Sequence, residues 1–281
     1  MSYYYQTCPY CPSGMTKRLF TAQSGGNVVQ CLECELQFVE MYPDIKESIL
    51  KIYSAEYFKH MIERTVQRKK NFNKLIYQLE SILDRKGRLL EIGAGEGTLL
   101  QVALERGWEV EGTEISPAAI EHIQNNFPVK MYQGNLEEIP LEPCSYDAVV
   151  LNHVLEHVRN PKTTLEKVGK LVRGNGVVRI EIPNIASLSC RLKNVQSRLK
   201  LKRNPWKHYG IGHHFWFFTP KTLRNALEAA GLAVMKMETP APQKLKFFGR
   251  SLNDIYKQKL LGGALVVFAR KKQVSLRRPG S

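Results

Sequence analysis

Apolar and polar positions repeat one unit along the middle of the chain. At Leu89–Thr98 the string LLEIGAGEGT opens on apolar residues around Glu91, then places Gly93, Gly95 and Gly97 on alternate positions. That is the pattern of a buried strand entering a tight turn, and LLQVALERG behind it has helical spacing. WEVEGTEIS reads as a second strand ending in Glu114, after which Ser116 and Pro117 open a helix as N-cap and first helical residue. VKMYQG is a third strand leading to Asn135-Leu136-Glu137, and YDAVVL a fourth ending at Asn152. A helix over 161–172 and the strand GVVRIEIP complete five alternating units, so the expected fold is α/β with a doubly wound, mostly parallel sheet. Glycines in the first turn let the backbone pass close to a ligand.

The N-terminal flank follows another pattern. Residues 1–41 carry Cys8-Pro9-Tyr10-Cys11 and Cys31-Leu32-Glu33-Cys34, with 19 residues between the two knuckles. KRLFTA and NVVQ read as short strands around a Ser-Gly-Gly turn at 24–26. Two thiolates on each of two tight turns suit a tetrahedral ion with no open position, so Cys8, Cys11, Cys31 and Cys34 are expected to hold a structural Zn2+. A ribbon this small buries little core, and the metal would supply most of its folding energy. A redox role for Cys-Pro-Tyr-Cys would need a helix at its second cysteine, which Pro12, Ser13 and Gly14 break. Residues 42–86 read as a linker of two or three helices. In it Tyr53 and Tyr57 stand just ahead of the sheet, as packing residues or as contacts to cofactor or substrate.

Composition changes this picture in one respect. Apolar content of 43% and charged content of 24% are those of an ordinary globular protein, with no run long enough for a membrane-spanning helix. The N-terminus has no signal-peptide pattern, so a cytoplasmic location is expected, where paired cysteines bind metal rather than form disulfides. The net charge of +15 is uneven: residues 1–181 hold 21 Lys/Arg and 23 Asp/Glu, a net of −2, whereas residues 182–281 hold 20 and 3, a net of +17. A polyanionic or anionic partner should therefore be sought at the C-terminal third.

The glycine loop differs from the dehydrogenase G-x-G-x-x-G in having Glu91 two residues before the first glycine. In this acid-first form it resembles the class I S-adenosylmethionine-dependent methyltransferases. GTEIS, GNLEEIP and SYDAVVLNHVLEHVRNP fall where that family places its cofactor loops, and LAVMKMET with GALVVFARK resemble its sixth and antiparallel seventh strands. The order CPYC, CLEC, FVEMYP, YSAEYF, LLEIGAGEGTLL, NHVLEH, EIPN and HHFWFFTPKTLRNALEAAGL is similar to a zinc-ribbon subgroup often encoded with genes for bacterial surface glycans and modified sugars. The resemblance implies a seven-stranded Rossmann-like methyltransferase domain over 87–272, with a lid insertion at 184–218 and a disordered basic tail at 273–281.

It also implies roles. Glu91 would orient the loop and the amino group of S-adenosyl-L-methionine, and Gly93 and Gly95 would admit its methionine part. Glu114, with Ile115 beside it, would hold the ribose hydroxyls. Asn135 and Leu136 would bracket the adenine, Asn152 would lie at the sulfonium end, and Tyr57 would reach the cofactor from the linker. In the resembling ubiquinone-pathway O-methyltransferases an acid stands at the position of His153, in a cluster that can hold a divalent ion; the histidine here puts that metal role in doubt. His214 matches a histidine usual in the subgroup, and Phe217 replaces a second one.

Methyl transfer from a sulfonium is an in-line displacement, which needs alignment and a base for the acceptor's proton. His153, Glu156 and His157 follow the fourth strand as H-x-x-E-H, and His213 and His214 precede four aromatic residues, Phe215 to Phe218. His153 and His214 are the candidate bases. Between residues 182 and 227 there is no acid and there are nine Lys/Arg, while Ile185, Leu188, Leu192, Val195 and Leu199 recur at helical spacing. This basic amphipathic helix is either a lid packed through its apolar face, a phosphate contact, or a peripheral anchor to an anionic membrane through 185–202. The expected acceptor is a small anionic molecule, such as a sugar nucleotide or lipid-linked glycan. Ribosomal RNA is the alternative, suited by the ribbon, the charge and the aromatics at 215–218.

Overall fold

The computed structural model describes residues 3–22, 26–43, 65–240, 246–247, 250–251 and 253–272. Tyr53 and Tyr57, most of the linker and the tail at 273–281 lie outside them.

The chain opens with four strands, β1 (Tyr3–Tyr5), β2 (Thr16–Thr21), β3 (Asn27–Cys31) and β4 (Gln37–Pro43). These form an antiparallel sheet in the order β1-β4-β3-β2. After helix α1 (Thr65–Leu83) come β5 (Arg88–Ile92), α2 (Thr98–Glu105), β6 (Glu109–Glu114), α3 (Pro117–Asn126), β7 (Lys130–Gln133), β8 (Tyr146–Asn152), α4 (Pro161–Leu171) and β9 (Val172–Pro183). The remainder is α5 (Leu188–Arg198), β10 (Trp216–Phe217), α6 (Pro220–Ala229), β11 (Leu232–Glu238), β12 (Lys246–Phe247), β13 (Arg250–Ser251), α7 (Asn253–Gln258) and β14 (Ala264–Lys271).

Seven strands make the main sheet in the order β11-β14-β9-β8-β5-β6-β7, and only β14 and its pairings are antiparallel. The strand order reverses between β5 and β8, so a crevice opens at the carboxyl ends of these two neighbours. The central strands are apolar on both faces because helices cover both: Val149 and Leu151 face one core, Ala148 and Val150 the other. Local chemistry sets the helix starts. Ser116 caps α3 by accepting from the Ala119 N–H, and Asn160 caps α4 by accepting from Lys162 and Thr163; Pro117 and Pro161 follow.

The ribbon is not a separate lobe. β10, from the segment after β9, pairs antiparallel with β4, Trp216 opposite Phe38 and Phe217 opposite Gln37. Cys8, Val29, Cys31, Leu36 and Phe38 belong to the same core cluster as Leu90, Leu151 and Leu223 of the main domain. Trp216 also donates its indole N–H to the Val158 carbonyl at 2.7 Å. Each fully buried aromatic contributes roughly 1.5–3 kcal/mol, so Phe215 to Phe218, all buried, hold the ribbon firmly.

Candidate active site

The glycine loop has the conformation its sequence requires. Gly93, Gly95 and Gly97 have φ of 71°, 56° and 75°, the left-handed region that disfavours side chains. A Cβ on Gly93 would meet Val154 Cγ2 at 2.6 Å, and one on Gly97 would meet Ile123 Cγ1 at 2.7 Å. The Gly93 and Ala94 N–H groups both donate to the Thr113 carbonyl, at 2.9 and 3.0 Å. The Glu114 carboxylate closes the arrangement: Oε2 accepts from Gly95 N–H at 2.9 Å, and Oε1 accepts from Ile115 and Ser116 N–H at 2.8 and 3.0 Å. Glu114 therefore fixes the two loops flanking the crevice, a task its spacing from the glycines did not reveal.

Glu91 is buried at the end of β5. Burial, then the charge of nearby Glu96, pushes its carboxyl well above the usual range. Its Oε2 has no hydrogen-bond partner among the described residues, and neither does Asn152 Nδ2 at the end of neighbouring β8. Asn135 is exposed, with Nδ2 3.4 Å from Glu138 Oε1, and Leu136 beside it is buried.

Four residues that the sequence reading did not single out complete this floor. Arg179 on β9 is buried and donates to Asn152 Oδ1 and, at 2.5 Å, to Glu181 Oε2. Arg68 of α1 pairs with buried Glu96 of the glycine loop at 2.9 Å. A signal existed for Arg179 and Glu181: they are the two charges in the otherwise apolar strand GVVRIEIP.

The histidines separate into two electrostatic types. His153 has φ of 54°, and its Nδ1 and Nε2 lie 3.3 Å from Glu156 Oε1 and 3.7 Å from Glu181 Oε1. Desolvation alone would lower its pKa, yet the two carboxylates raise it to about 9. Glu181 is correspondingly held down at about 2 despite its burial, by His153 and Arg179. His153 is thus an imidazolium at neutral pH.

His214 is the opposite. Its Nδ1 lies 3.1 Å from the Tyr209 carbonyl, which only accepts, so Nδ1 carries the proton and Nε2 keeps its lone pair. Burial, with neighbouring His157, lowers its pKa to about 4. His157 makes a similar backbone contact, its Nδ1 donating to the His213 carbonyl at 2.6 Å. The structure brings Glu156, His157 and His214 together, with one ligand-capable atom of each within 4.8 Å of the others. His153 also approaches Glu156, its Nδ1 3.3 Å from Oε1, so both candidate bases lie near one acid.

At the ribbon the four cysteines converge as expected. Their sulfurs lie within 4.8 Å of one another, Cys8 Sγ and Cys34 Sγ 3.4 Å apart, and none is in a disulfide. A tetrahedral zinc–thiolate centre needs sulfurs about 3.7 Å apart, given the usual bond of about 2.3 Å.

A family model described as "Methyltransferase domain" matches residues 45–237. The chain is 30% identical over 171 residues to the ubiquinone biosynthesis O-methyltransferase of Aeromonas salmonicida (strain A449), covering 57% of this chain and 71% of that protein. It is 29% identical over 102 residues to a probable S-adenosylmethionine-dependent methyltransferase of Mycobacterium tuberculosis (strain ATCC 25618 / H37Rv), covering 36% of this chain and 37% of that one. Among solved structures, the 1,6-didemethyltoxoflavin-N1-methyltransferase of Burkholderia thailandensis superposes with a TM-score of 0.54 at 17% identity, over 86% of this chain and 98% of that one. An S-adenosylmethionine-dependent methyltransferase of Clostridium acetobutylicum ATCC 824 gives 0.55 at 10% identity, over 77% and 98%; likeness at this level speaks for the fold. The chain belongs to the class I S-adenosylmethionine-dependent methyltransferases. No described helix is long and apolar enough to cross a membrane.

Proposed function

We propose that this enzyme methylates a hydroxyl of a small anionic acceptor, with His214 as the general base. The observation that carries this reading is the 3.1 Å contact of His214 Nδ1 with the Tyr209 carbonyl, which assigns the ring proton to Nδ1 and leaves Nε2 as the acceptor nitrogen of a histidine that burial keeps neutral. The printed name of the Aeromonas relative, an O-methyltransferase, supports an oxygen acceptor.

The crevice fits S-adenosylmethionine on this chain's own features. Among the described residues Glu91 Oε2 and Asn152 Nδ2 are buried polar atoms without a hydrogen-bond partner of good geometry, the Asn152 side chain lying close enough to Glu91 to favour its carboxylate, and Gly93 and Gly97 have no room for a Cβ. Glu91 and Asn152 would take the amino-acid end, Glu114 and Ile115 the ribose, Asn135 and Leu136 the adenine; Tyr57 is a further candidate contact. Bound there, S-adenosylmethionine would supply an electrophilic methyl group on a positively charged sulfur, to be taken by the acceptor oxygen with the neutral thioether as leaving group. The acceptor's proton passes to His214 Nε2, and the Glu156 charge, which opposes the lowering of the His214 pKa, favours the imidazolium that forms. His153 does not compete as base, because as an imidazolium it carries a proton on each ring nitrogen, Nδ1 toward Glu156 and Nε2 toward Glu181. Arg179 fixes the Asn152 carboxamide, leaving its Nδ2 to face the ligand. Cys8, Cys11, Cys31 and Cys34 would hold a structural zinc that keeps the ribbon, and through β10 the His214 segment, in place.

The test is turnover with labelled cofactor against sugar nucleotides, lipid-linked glycans, catechol-type hydroxyls and ribosomal RNA. Methylation of a hydroxyl acceptor that His214→Ala abolishes, with cofactor binding retained, is the expected result. Base methylation of RNA, or full turnover by His214→Ala, would overturn the proposal.

A further inference from the structure

The basic helix after β9 is mounted inside out. Leu188, Leu192, Val195 and Leu199 recur at four-, three- and four-residue steps, so they form one stripe along α5. In an ordinary lid that stripe would pack on the domain, yet these side chains are 54%, 59%, 52% and 62% exposed, and Leu201 just beyond is 71% exposed. The face turned to the protein is polar. Ser197 is the residue of α5 that is buried, and its hydroxyl accepts from the Trp206 N–H at 3.1 Å. Asn194 Oδ1 accepts from His208 Nε2 at 2.7 Å. At the N-terminal end Ser187 caps the helix by accepting from the Cys190 N–H, and the Leu188 N–H donates to the Leu261 carbonyl; with the Ser197–Trp206 bond near the other end, the orientation is anchored at both.

Cations border the stripe. Arg191, Lys193, Arg198, Lys200, Lys202 and Arg203 are interspersed with it, and no acid falls between residues 182 and 227. Charge excludes a second copy of this same face as its partner. So does size, since a stripe roughly 16 Å long on a helix roughly 10 Å across presents about 160 Å², far short of the roughly 800 Å² per partner of a stable protein interface. An apolar stripe flanked by Lys and Arg matches an anionic bilayer, whose acyl boundary takes the leucines and whose headgroups take the cations.

We infer that α5, with Leu199 and Leu201, is an interfacial anchor that docks this enzyme on anionic lipid membranes. The helix is one step from the proposed base: Asn194 contacts the Tyr209 hydroxyl, and the Tyr209 carbonyl holds His214. A docked helix would thus set the acceptor side of the crevice near the membrane surface.

The test is sedimentation of the full chain with phosphatidylcholine vesicles, with and without phosphatidylglycerol, comparing wild type with Leu192→Glu/Leu199→Glu and with Arg191→Gln/Lys193→Gln/Arg198→Gln. The expected result is binding to the anionic vesicles only, falling at least about tenfold in each variant. Cofactor affinity and the circular-dichroism spectrum should stay at wild-type values, because the altered side chains are surface groups outside the proposed site. Absence of wild-type binding, equal binding to neutral vesicles, or binding that survives Leu192→Glu/Leu199→Glu would overturn the inference. Self-association of the wild type that the leucine variant abolishes, without vesicle binding, would overturn it in favour of a second copy. The readout needs no turnover, so its failure is separable from failure of the methylation reading.

Discussion

Trp216 lies opposite Phe38, so the segment that carries His214 ends as the fifth strand of the cysteine-ribbon sheet. The Val39 N–H also donates to the Phe215 carbonyl at 2.9 Å, and Phe20 stacks on Trp206 with ring centroids 4.1 Å apart. Ribbon and proposed base are therefore parts of one packed unit, whereas Glu91 and Glu114 lie at the carboxyl ends of β5 and β6 in the interior of the main sheet.

Loss of the ribbon should then act on the acceptor side. Cys31→Ser, or zinc withdrawal by a chelator, should lower kcat by about a hundredfold, the usual cost of misplacing a catalytic group by about 1 Å. Binding of S-adenosylhomocysteine should change little. Calorimetric affinity measured beside turnover checks this; equal losses in both would mean that the ribbon supports the whole fold rather than this unit.

Cofactor binding should release a proton. Glu91 has its carboxyl raised by burial and by Glu96 before any ligand is present, and a cationic amino group or sulfonium beside it favours the carboxylate. Affinity should therefore rise with pH, and titration calorimetry in buffers of different ionisation enthalpy should show proton release. Glu91→Gln should bind more weakly and lose that linkage. Because folding raises the Glu91 pKa, its charge costs stability above the unfolded value, so the Gln variant should melt higher than wild type at pH 8 without ligand.

Much of this was legible along the chain and some was not. The glycine loop, Glu114 and the cysteine knuckles are local, each declaring its conformation or ligand chemistry within a few residues. The pairing of Trp216 with Phe38 is not: a two-residue strand has no periodicity, and its partner is 178 positions away. The link from Arg179 to Asn152 likewise crosses between two strands. For α5, spacing predicts an amphipathic helix but does not say which face turns inward; that depends on Ser197 and Asn194 meeting Trp206 and His208.

The two histidines should give opposite limbs of the pH profile. His214 must be neutral to accept a proton, and with a pKa near 4 it stays so throughout the neutral range. kcat/KM should show no step near pH 6.5, its acid limb falling only toward pH 4. His153 loses its proton near 9, which dissolves the Glu156–His153–Glu181 bridge and should give an alkaline decline. His214→Ala should lower kcat by about 10² to 10⁴, while His153→Gln should remove the alkaline limb with a smaller rate loss. A wild-type midpoint near 6.5 that vanishes in neither variant would contradict the assignment.

Asp147 gives the clearest stability prediction. It is buried at the start of β8 and binds Arg85, Arg173 and the Arg88 backbone N–H, the last at 3.0 Å. Its surroundings leave no space, since a Cβ on Gly87 would lie 2.2 Å from Asp147 Oδ2. Despite the burial, which acts to raise its pKa, these partners hold it below its ordinary 3.8. A depressed carboxylate contributes stability above the unfolded pKa and loses it as pH falls through the folded one. Asp147→Asn should therefore cost about 2 kcal/mol at pH 7, the low end for a broken buried pair because both arginines are partly exposed and screened. Urea unfolding at pH 7 and pH 3 measures this. The gap between wild type and variant should narrow at pH 3, below the ordinary Asp value of 3.8, where the unfolded chain takes up a proton that the folded carboxylate resists, and a gap independent of pH would show that packing, not charge, holds this corner of the sheet.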